Sequence, residues 1–428
     1  MKFKEELLQF IWQYKLFVNR QLYSIRGEPL EIIDTGKLNL NAGADFIHAK
    51  VKIGDTLFAG NVEIHVRERD WIAHKHDEDK AYDNIILHVV YIADNTVKRN
   101  FETLELQSLI DQNLLHTYQM LFDNRVKIPC FYIFRKPDEI ILSMWLQTLA
   151  LERLEKKIHA TNELFLQNNS DWNRTAISLV AGFLGGNLNK DSMLQLMYSF
   201  EFKILSKYCK NIFKTEALLF GQAGMLEEVT AMDDYQKQLF TEYKHLKLLY
   251  NLTPLQVTTW KFSRLRPASF PTIRIAQLAQ ILFVHRNLFD DLVKNFDFEQ
   301  AKTILSVEAS DYWKRHYHFA HPKEVERTKS VGQSSIDSIV INAIVPLLFY
   351  YGKETDNQEM CERSLAILES MKGEQNNITR LWDSLGVLSK NAFESQALIQ
   401  LKNNYCDRFG CLKCRIGLNL MKGGIEKK

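Results

Sequence analysis

No excess of charge of either sign marks this chain: 54 Lys and Arg stand against 52 Asp and Glu, a net +2 over 428 residues. So close a balance leaves no global electrostatic footprint for nucleic acid, and any contact with DNA or RNA has to come from a local patch. Long apolar runs are missing too. The longest, Ile339 to Tyr351, is interrupted by Asn342 and Pro346 and is too short to cross a bilayer. The amino terminus, MKFKEELLQF, has acids in its first turn and no apolar signal core, so the expectation is a cytoplasmic protein without a membrane role. Six cysteines in such a compartment do not form a disulfide framework. No fixed period recurs, which argues against a regular solenoid. The stretch Glu216 to Gly224 ends in glycines but lacks the Gly-Lys-Ser/Thr of a phosphate loop.

What is present is organised around Gly43 to Tyr91. Ala49 to Ile53 alternates apolar and polar residues and reads as a half-buried strand; Gly54-Asp55 makes the turn, and a second strand runs from Leu57 to Val66. On that strand Val62, Ile64 and Val66 share one face, and Asn61, Glu63 and His65 the other. A polar, helix-like piece from Asp70 to Tyr82 leads into Ile85 to Tyr91, apolar nearly throughout, as a strand covered on both faces should be. Asp45, just outside the first strand, and Glu63 can converge at one end of the hairpin, with His65 one pleat further along. Two carboxylates and a third polar group at that spacing suit a hard divalent cation and a positioned water. The plainer reading makes Glu63 and His65 the solvated face of the hairpin. Against it stand the position of Asp45, Gly60 as a point of close backbone approach, and the histidines that follow.

Four of the twelve histidines, His65, His74, His76 and His88, fall between positions 65 and 88. Clustered imidazoles near Asp are a common way to bind transition metals. His74 and His76, however, are two apart and do not face each other on a helix, so chelation by both requires a loop or extended backbone. Asp77 or Asp79 with Tyr82 can instead cap and anchor the return to the last strand. Glu28 is a candidate third carboxylate, although Gly27-Glu28-Pro29 also reads as a solvated turn.

A stripe of Leu7, Leu8, Phe10, Ile11, Trp12 and Leu16 predicts a helix from Lys4 to Asn19, and another runs from Ile110 to Phe122. Ile128-Pro129-Cys130 with Pro137 marks a break. The expected division is an α/β domain over 1–128 and a helical domain over 129–428 that ends in a Cys-rich segment. The fold class is α+β, a small mixed sheet with flanking helices followed by an irregular all-α region. Inside the helical part, Lys261 to Arg274 interleaves Arg264, Arg266 and Arg274 with aromatics and holds two prolines. That pattern suits single-stranded nucleic acid or phosphate, and equally a linker docked through Arg–carboxylate pairs. Thr272 is placed to cap the next helix. Asp311 to Phe319 is a second aromatic and basic cluster, fit for base stacking or for a core patch. Near the end, Cys406, Cys411 and Cys414 form C-x4-C-x2-C, three candidate ligands for zinc or an iron–sulfur cluster. A fourth has to come from Cys361, Cys209, Cys130 or a His elsewhere; three buried thiols are the alternative.

The helix, the hairpin carrying Asp45 and then Glu63-x-His65, and the following helix and strand resemble the core of the PD-(D/E)XK nuclease superfamily over about a quarter of the chain. His65 stands where that family usually has Lys, and a His does similar work only if protonated or metal-linked. The resemblance implies a metal-dependent phosphodiesterase acting on DNA or RNA. Asp45 and Glu63 would hold Mg²⁺ or Mn²⁺, His65 would assist the water or the transition state, and Arg264, Arg266 and Arg274 would contact phosphate. The alternatives are a non-catalytic nucleic-acid-binding or scaffold protein on a degenerate nuclease fold, and a hydrolase with zinc on the histidines. A second resemblance spans nearly the whole chain. The strings GNVEIHV, AYDNIILHVVY, EALLFGQAG, RLRPASFPTIRIAQLA and ESQALIQL followed by YC-x4-CLKC are similar to domain of unknown function 2851, a bacterial family that implies no reaction.

Overall fold

A computed structural model describes residues 4–18, 21–94, 100–123, 126–226, 232–294 and 297–423. The chain is α+β and divides into two compact units: residues 1–145, 384–387 and 401–428 form one, residues 146–383 and 388–400 the other. The C-terminal segment therefore belongs with the sheet, where the sequence assigned it to the helical part.

In the first unit helix α1 (Glu5–Gln13) buries Leu7, Leu8, Phe10, Ile11 and Trp12. The apolar stripe predicted a longer helix, whose last residue, Asn19, lies outside the described residues. The helix stops because Lys15 takes a left-handed conformation (φ 48°), letting Leu16 N–H reach Ile11 O at 2.9 Å and Lys15 N–H reach Trp12 O at 3.1 Å. This paired closure is usually made by glycine, so a lysine there gives no warning in the sequence.

Among the described residues seven strands form one sheet: β1 (Leu22–Tyr23), β2 (Pro29–Asp34), β3 (Lys37–Leu38), β4 (Phe46–Ile53), β5 (Thr56–Arg67), β6 (Ile85–Ile92) and β7 (Glu102–Glu105). Their order is β1-β2-β4-β5-β6-β7, with β3 also paired to β4. β4 and β5 make an antiparallel hairpin around Gly54, whereas β5, β6 and β7 run parallel. Both faces of β5 are covered from Val62 to His65, so Glu63 and His65 are only 5% and 1% exposed. The solvated-face reading fails for them. Gly60 is needed where β5 meets the start of β6: a Cβ there would lie 2.7 Å from Asn84 O and 2.4 Å from Ile86 Cγ2. The crossover to β6 is broken, a four-residue helix α2 (Asp70–Ala73) followed by two short 3-10 turns, His76–Glu78 and Lys80–Tyr82. Asp79 Oδ1 accepts from Ala81 N–H at 2.9 Å and caps the second turn, as its position suggested.

Helix α3 (Gln112–Asp123) follows β7, and α4 (Glu139–Gln167) opens the helical region. In the second unit one helical run among the described residues, Gln333–Glu354, is long and apolar enough to cross a membrane, and 72% of its apolar window is buried inside the protein. The helix Pro271–Val284 starts at Pro271, whose missing N–H and fixed φ suit a first turn. Thr272 is therefore not its cap; the hydroxyl donates to Tyr317 O at 2.6 Å instead.

Candidate metal centre

The site grows from an irregularity in the hairpin. Between Phe46↔Val62 and Ala49↔Gly60 the β4–β5 register shifts by one residue, and His48 in β4 is left-handed (φ 60°). Such a bulge redirects the side chains beside it. Asp45, just ahead of β4, and Glu63 interlock. Asp45 N–H donates to Glu63 Oε2 at 3.0 Å, and Ile64 N–H donates to Asp45 Oδ2 at 3.0 Å. The other Asp45 oxygen, Oδ1, accepts from Gln9 Nε2 of α1 at 2.8 Å. Burial pushes Asp45 up to about 6; burial, and then the charge of Asp45, push Glu63 up to about 8. Glu5, also on α1, is the third acid here: it acts on both carboxylates, and its own carboxyl is raised, chiefly by burial. Glu5 and Gln9 escaped notice in the sequence, where the first looked like an ordinary first-turn acid. Their spacing of four on one helix face was the available signal.

The free side of Glu63 meets the histidines. Glu63 Oε1 lies 3.4 Å from His76 Nε2 and 3.6 Å from His65 Nε2. His65 Nε2 in turn lies 3.2 Å from His74 Nδ1 and 3.3 Å from His76 Nε2. The three imidazole donors fall within 4.8 Å of one another. The spacing argument against His74 and His76 assumed a helix. Lys75 between them is left-handed (φ 58°), and that one residue brings both rings to the same side. Around a tetrahedral zinc with bonds of about 2.0–2.1 Å, neighbouring donors stand about 3.3–3.4 Å apart. The separations from His65 Nε2 to the other two imidazole nitrogens are close to that, which makes the three histidines candidate ligands, with Glu63 beside His65 and His76. His88, wholly buried, meets His65 Nδ1 with its Nε2 at 2.8 Å. A ligating His65 donates its Nδ1–H to that nitrogen, which fixes its tautomer and aims Nε2 at the other donors. Burial first, then neighbouring imidazoles, hold His65 down to about 2 and His88 to about 3. His65 is thus favoured in its neutral form, which suits a ligand nitrogen and not a cation. Trp71 braces the cluster: its indole donates to Asp77 Oδ1 at 2.7 Å, and its ring lies 5.3 Å from those of His76 and His88.

Other expected site residues lie elsewhere. Glu28 is exposed in the β1–β2 turn. Arg264 and Arg266 are exposed in the helical unit, Arg264 with φ 64°. Arg274 is buried inside its helix, donating to Gln277 Oε1 and Ser335 Oγ, both at 2.9 Å, so no phosphate reaches it as it stands. In the Asp311–Phe319 cluster Trp313 is fully buried and stacks on Phe220 at 5.1 Å, the other aromatics are part-buried, and Asp311 and Arg315 are exposed.

The family model described as "Protein of unknown function (DUF2851)" matches residues 5–377. The chain belongs to this family. The match holds the whole sheet and Asp45, Glu63, His65, His74, His76 and His88, and ends before the ESQALIQL string and Cys406, Cys411 and Cys414. Neither the curated proteins nor the solved structures gave a match.

Proposed function

We propose that this chain is a metal-dependent hydrolase of phosphodiesters whose ion is held by Glu63, His65, His74 and His76. One observation carries the reading: His65, His74 and His76 bring three imidazole nitrogens within 4.8 Å of one another, with Glu63 Oε1 at 3.4 and 3.6 Å from two of them, and burial favours the neutral form of His65 and His76. Mixed nitrogen and carboxylate donors suit zinc or a similar transition metal. Mg²⁺ or Mn²⁺ on Asp45 and Glu63 is the oxygen-only form of the same site, and both Asp45 oxygens are already engaged. When bound, the ion supplies Lewis acidity and makes water more acidic. Asp45, half-buried and held by Gln9 and the Ile64 N–H, positions Glu63 through the hydrogen bond from its own N–H to Oε2. The phosphodiester substrate rests on the PD-(D/E)XK resemblance. Its support is Asp45 at the mouth of the hairpin, Glu63 and His65 on β5, and a parallel β6 after a helical crossover. Arg264 and Arg266 remain available for a nucleic-acid backbone.

The test is hydrolysis of DNA, RNA and a simple phosphodiester with Zn²⁺, Mn²⁺ or Mg²⁺, comparing the native chain with Glu63→Gln and His74→Ala. Both variants should lose metal and activity together. Hydrolysis that persists in both sinks the assignment. A second reading has one observation in its favour: a closed set of four protein donors is how structural zinc is held. A non-catalytic nucleic-acid-binding or scaffold protein would keep the metal and hydrolyse none of these substrates.

A further inference from the structure

The C-terminal thiols, buried and free, do not converge into a ligand set: among the described residues only His65, His74 and His76 bring three donor atoms within 4.8 Å. The helical unit holds something different, a cavity of about 200 Å³. It lies between α4, α5 (Trp172–Leu184), α6 (Gly186–Tyr198) and the chain at Asn342. Leu164, Leu179, Phe183 and Leu194 make most of its wall apolar, and all its lining residues belong to that one unit. An apolar cavity of about 150 Å³ is enough for benzene, so this one admits a body of that size with a small polar head.

The polar head has a partner in Lys157 of α4, which is part-buried in the cavity wall. Its Nζ donates to Ile341 O at 3.2 Å and to Gln396 Oε1 at 2.5 Å. An ammonium has three N–H donors, so these two bonds leave one over. Gln396 Oε1 accepts a second bond, from Arg153 Nε at 2.6 Å, and the Gln396 amide donates in turn to Glu374 Oε2. Arg153 and Lys157, four apart on one face of α4, are thus both met by a neutral amide, with a single carboxylate behind it. Two positive charges against one negative leave room for an anion. Burial, and then the charge of Arg153, lower the Lys157 ammonium to about 7 against the opposing effect of Glu374. An anion beside such a cation stabilises its charged form. A second ammonium in the wall, Lys190 of α6, stands over the Phe183 ring at 4.2 Å.

The backbone on the far side of Lys157 is unusual as well. Val340–Ile344 is a π-helical turn inside the run Gln333–Glu354. Such turns are rare and occur frequently at functional sites. This one supplies both the Ile341 carbonyl that holds Lys157 and a residue of the cavity wall, Asn342.

We propose that this cavity binds a small organic acid, its apolar body among the leucines and Phe183 and its carboxylate on the remaining N–H of Lys157, with Lys190 adding to the positive field. An inorganic anion does not suit the wall, which offers mostly carbon to a group that needs hydrogen bonds on every side. The inference does not rest on the metal centre, whose residues lie in the other unit.

The test uses full-length protein carrying His74→Ala, so that a carboxylate on metal at the imidazoles does not count. Benzoate and hexanoate are titrated into it by calorimetry. Benzyl alcohol, with the shape of benzoate but no charge, and inorganic phosphate, with charge but no apolar body, are the comparisons. The expected result is saturable one-to-one binding of at least one acid, about tenfold or more tighter than either comparison, as a hydrogen bond to a charged group contributes. Adding Lys157→Met should weaken that binding by about tenfold or more for the same reason. Absence of binding by both acids overturns the proposal, as does equal affinity for benzyl alcohol or phosphate, or full retention in Lys157→Met. Should Lys157→Met fail to fold, the comparison of benzoate with benzyl alcohol in the His74→Ala protein decides.

Discussion

Glu63 Oε1 and His76 Nε2 stand 3.4 Å apart, joining the middle of a central strand to a turn in the crossover that follows it. That contact exists because Lys75 is left-handed. A left-handed residue with a Cβ costs about 1–2 kcal/mol, and a β-branched one more. Lys75→Gly is therefore expected to preserve or tighten zinc binding, and Lys75→Val to weaken it at least tenfold in a calorimetric titration. Equal affinities in the two variants would remove the left-handed turn from the account.

His88 is not itself a proposed ligand and acts through His65, whose Nδ1 lies 2.8 Å from its Nε2. Loss of such a supporting partner typically costs about 10–100-fold in metal affinity. His88→Ala should fall in that range while retaining all four ligands, and the remaining binding should shift to higher pH as His65 loses its fixed tautomer. No change in affinity would make His88 a packing residue only.

Stripped of metal by a chelator, the protein should show a stability that depends on pH with opposing slopes. Glu63 keeps its proton up to about 8, against an ordinary 4.5, and Asp45 up to about 6, against 3.8. An unfolded chain releases those protons sooner, so the stability they contribute is complete at low pH and is lost as pH rises, for Glu63 through about 8. His65 and His88 run the other way: held neutral down to about 2 and 3 against 6.5, they contribute stability above 6.5 that is lost as pH falls. Between 6.5 and 8 only the Glu63 effect remains. The melting temperature of the chelated protein should drop across that window, and Glu63→Gln should flatten the drop. An unchanged slope in that variant would refute the assignment of the buried proton.

Gly60 sits against the turn into β6, with Asn84 O 2.7 Å from the place of a Cβ. Overpacking of this kind costs about 1–3 kcal/mol. Gly60→Ala should lower the denaturation midpoint accordingly and weaken metal binding too, since β5 carries Glu63 and His65. Gly27, whose Cβ would meet no atom within 4 Å but whose φ is +89°, serves as a control: Gly27→Ala should cost stability through backbone strain alone and leave the metal untouched.

Local pattern determined a good deal by itself. The alternation in Ala49–Ile53 and the apolar run at 85–91 fixed the hairpin and the covered third strand, because side-chain period and burial are short-range properties of a chain. Asp45 before β4 and Glu63 beside His65 followed from the same alternation, and Gly60 from its missing Cβ. Only the tertiary structure decided the rest. Glu63 and His65 are buried because β5 is central in the sheet, with α1 and α2 packed on it. Arg274 is withdrawn from solvent because its helix is a core element, which three arginines among aromatics could not reveal. His74 and His76 face one another through the backbone angle of a lysine, a residue type that carries no turn signal. Strand identity is set by neighbours within a few residues, whereas a site of converging side chains is set by the packing of elements far apart in the chain.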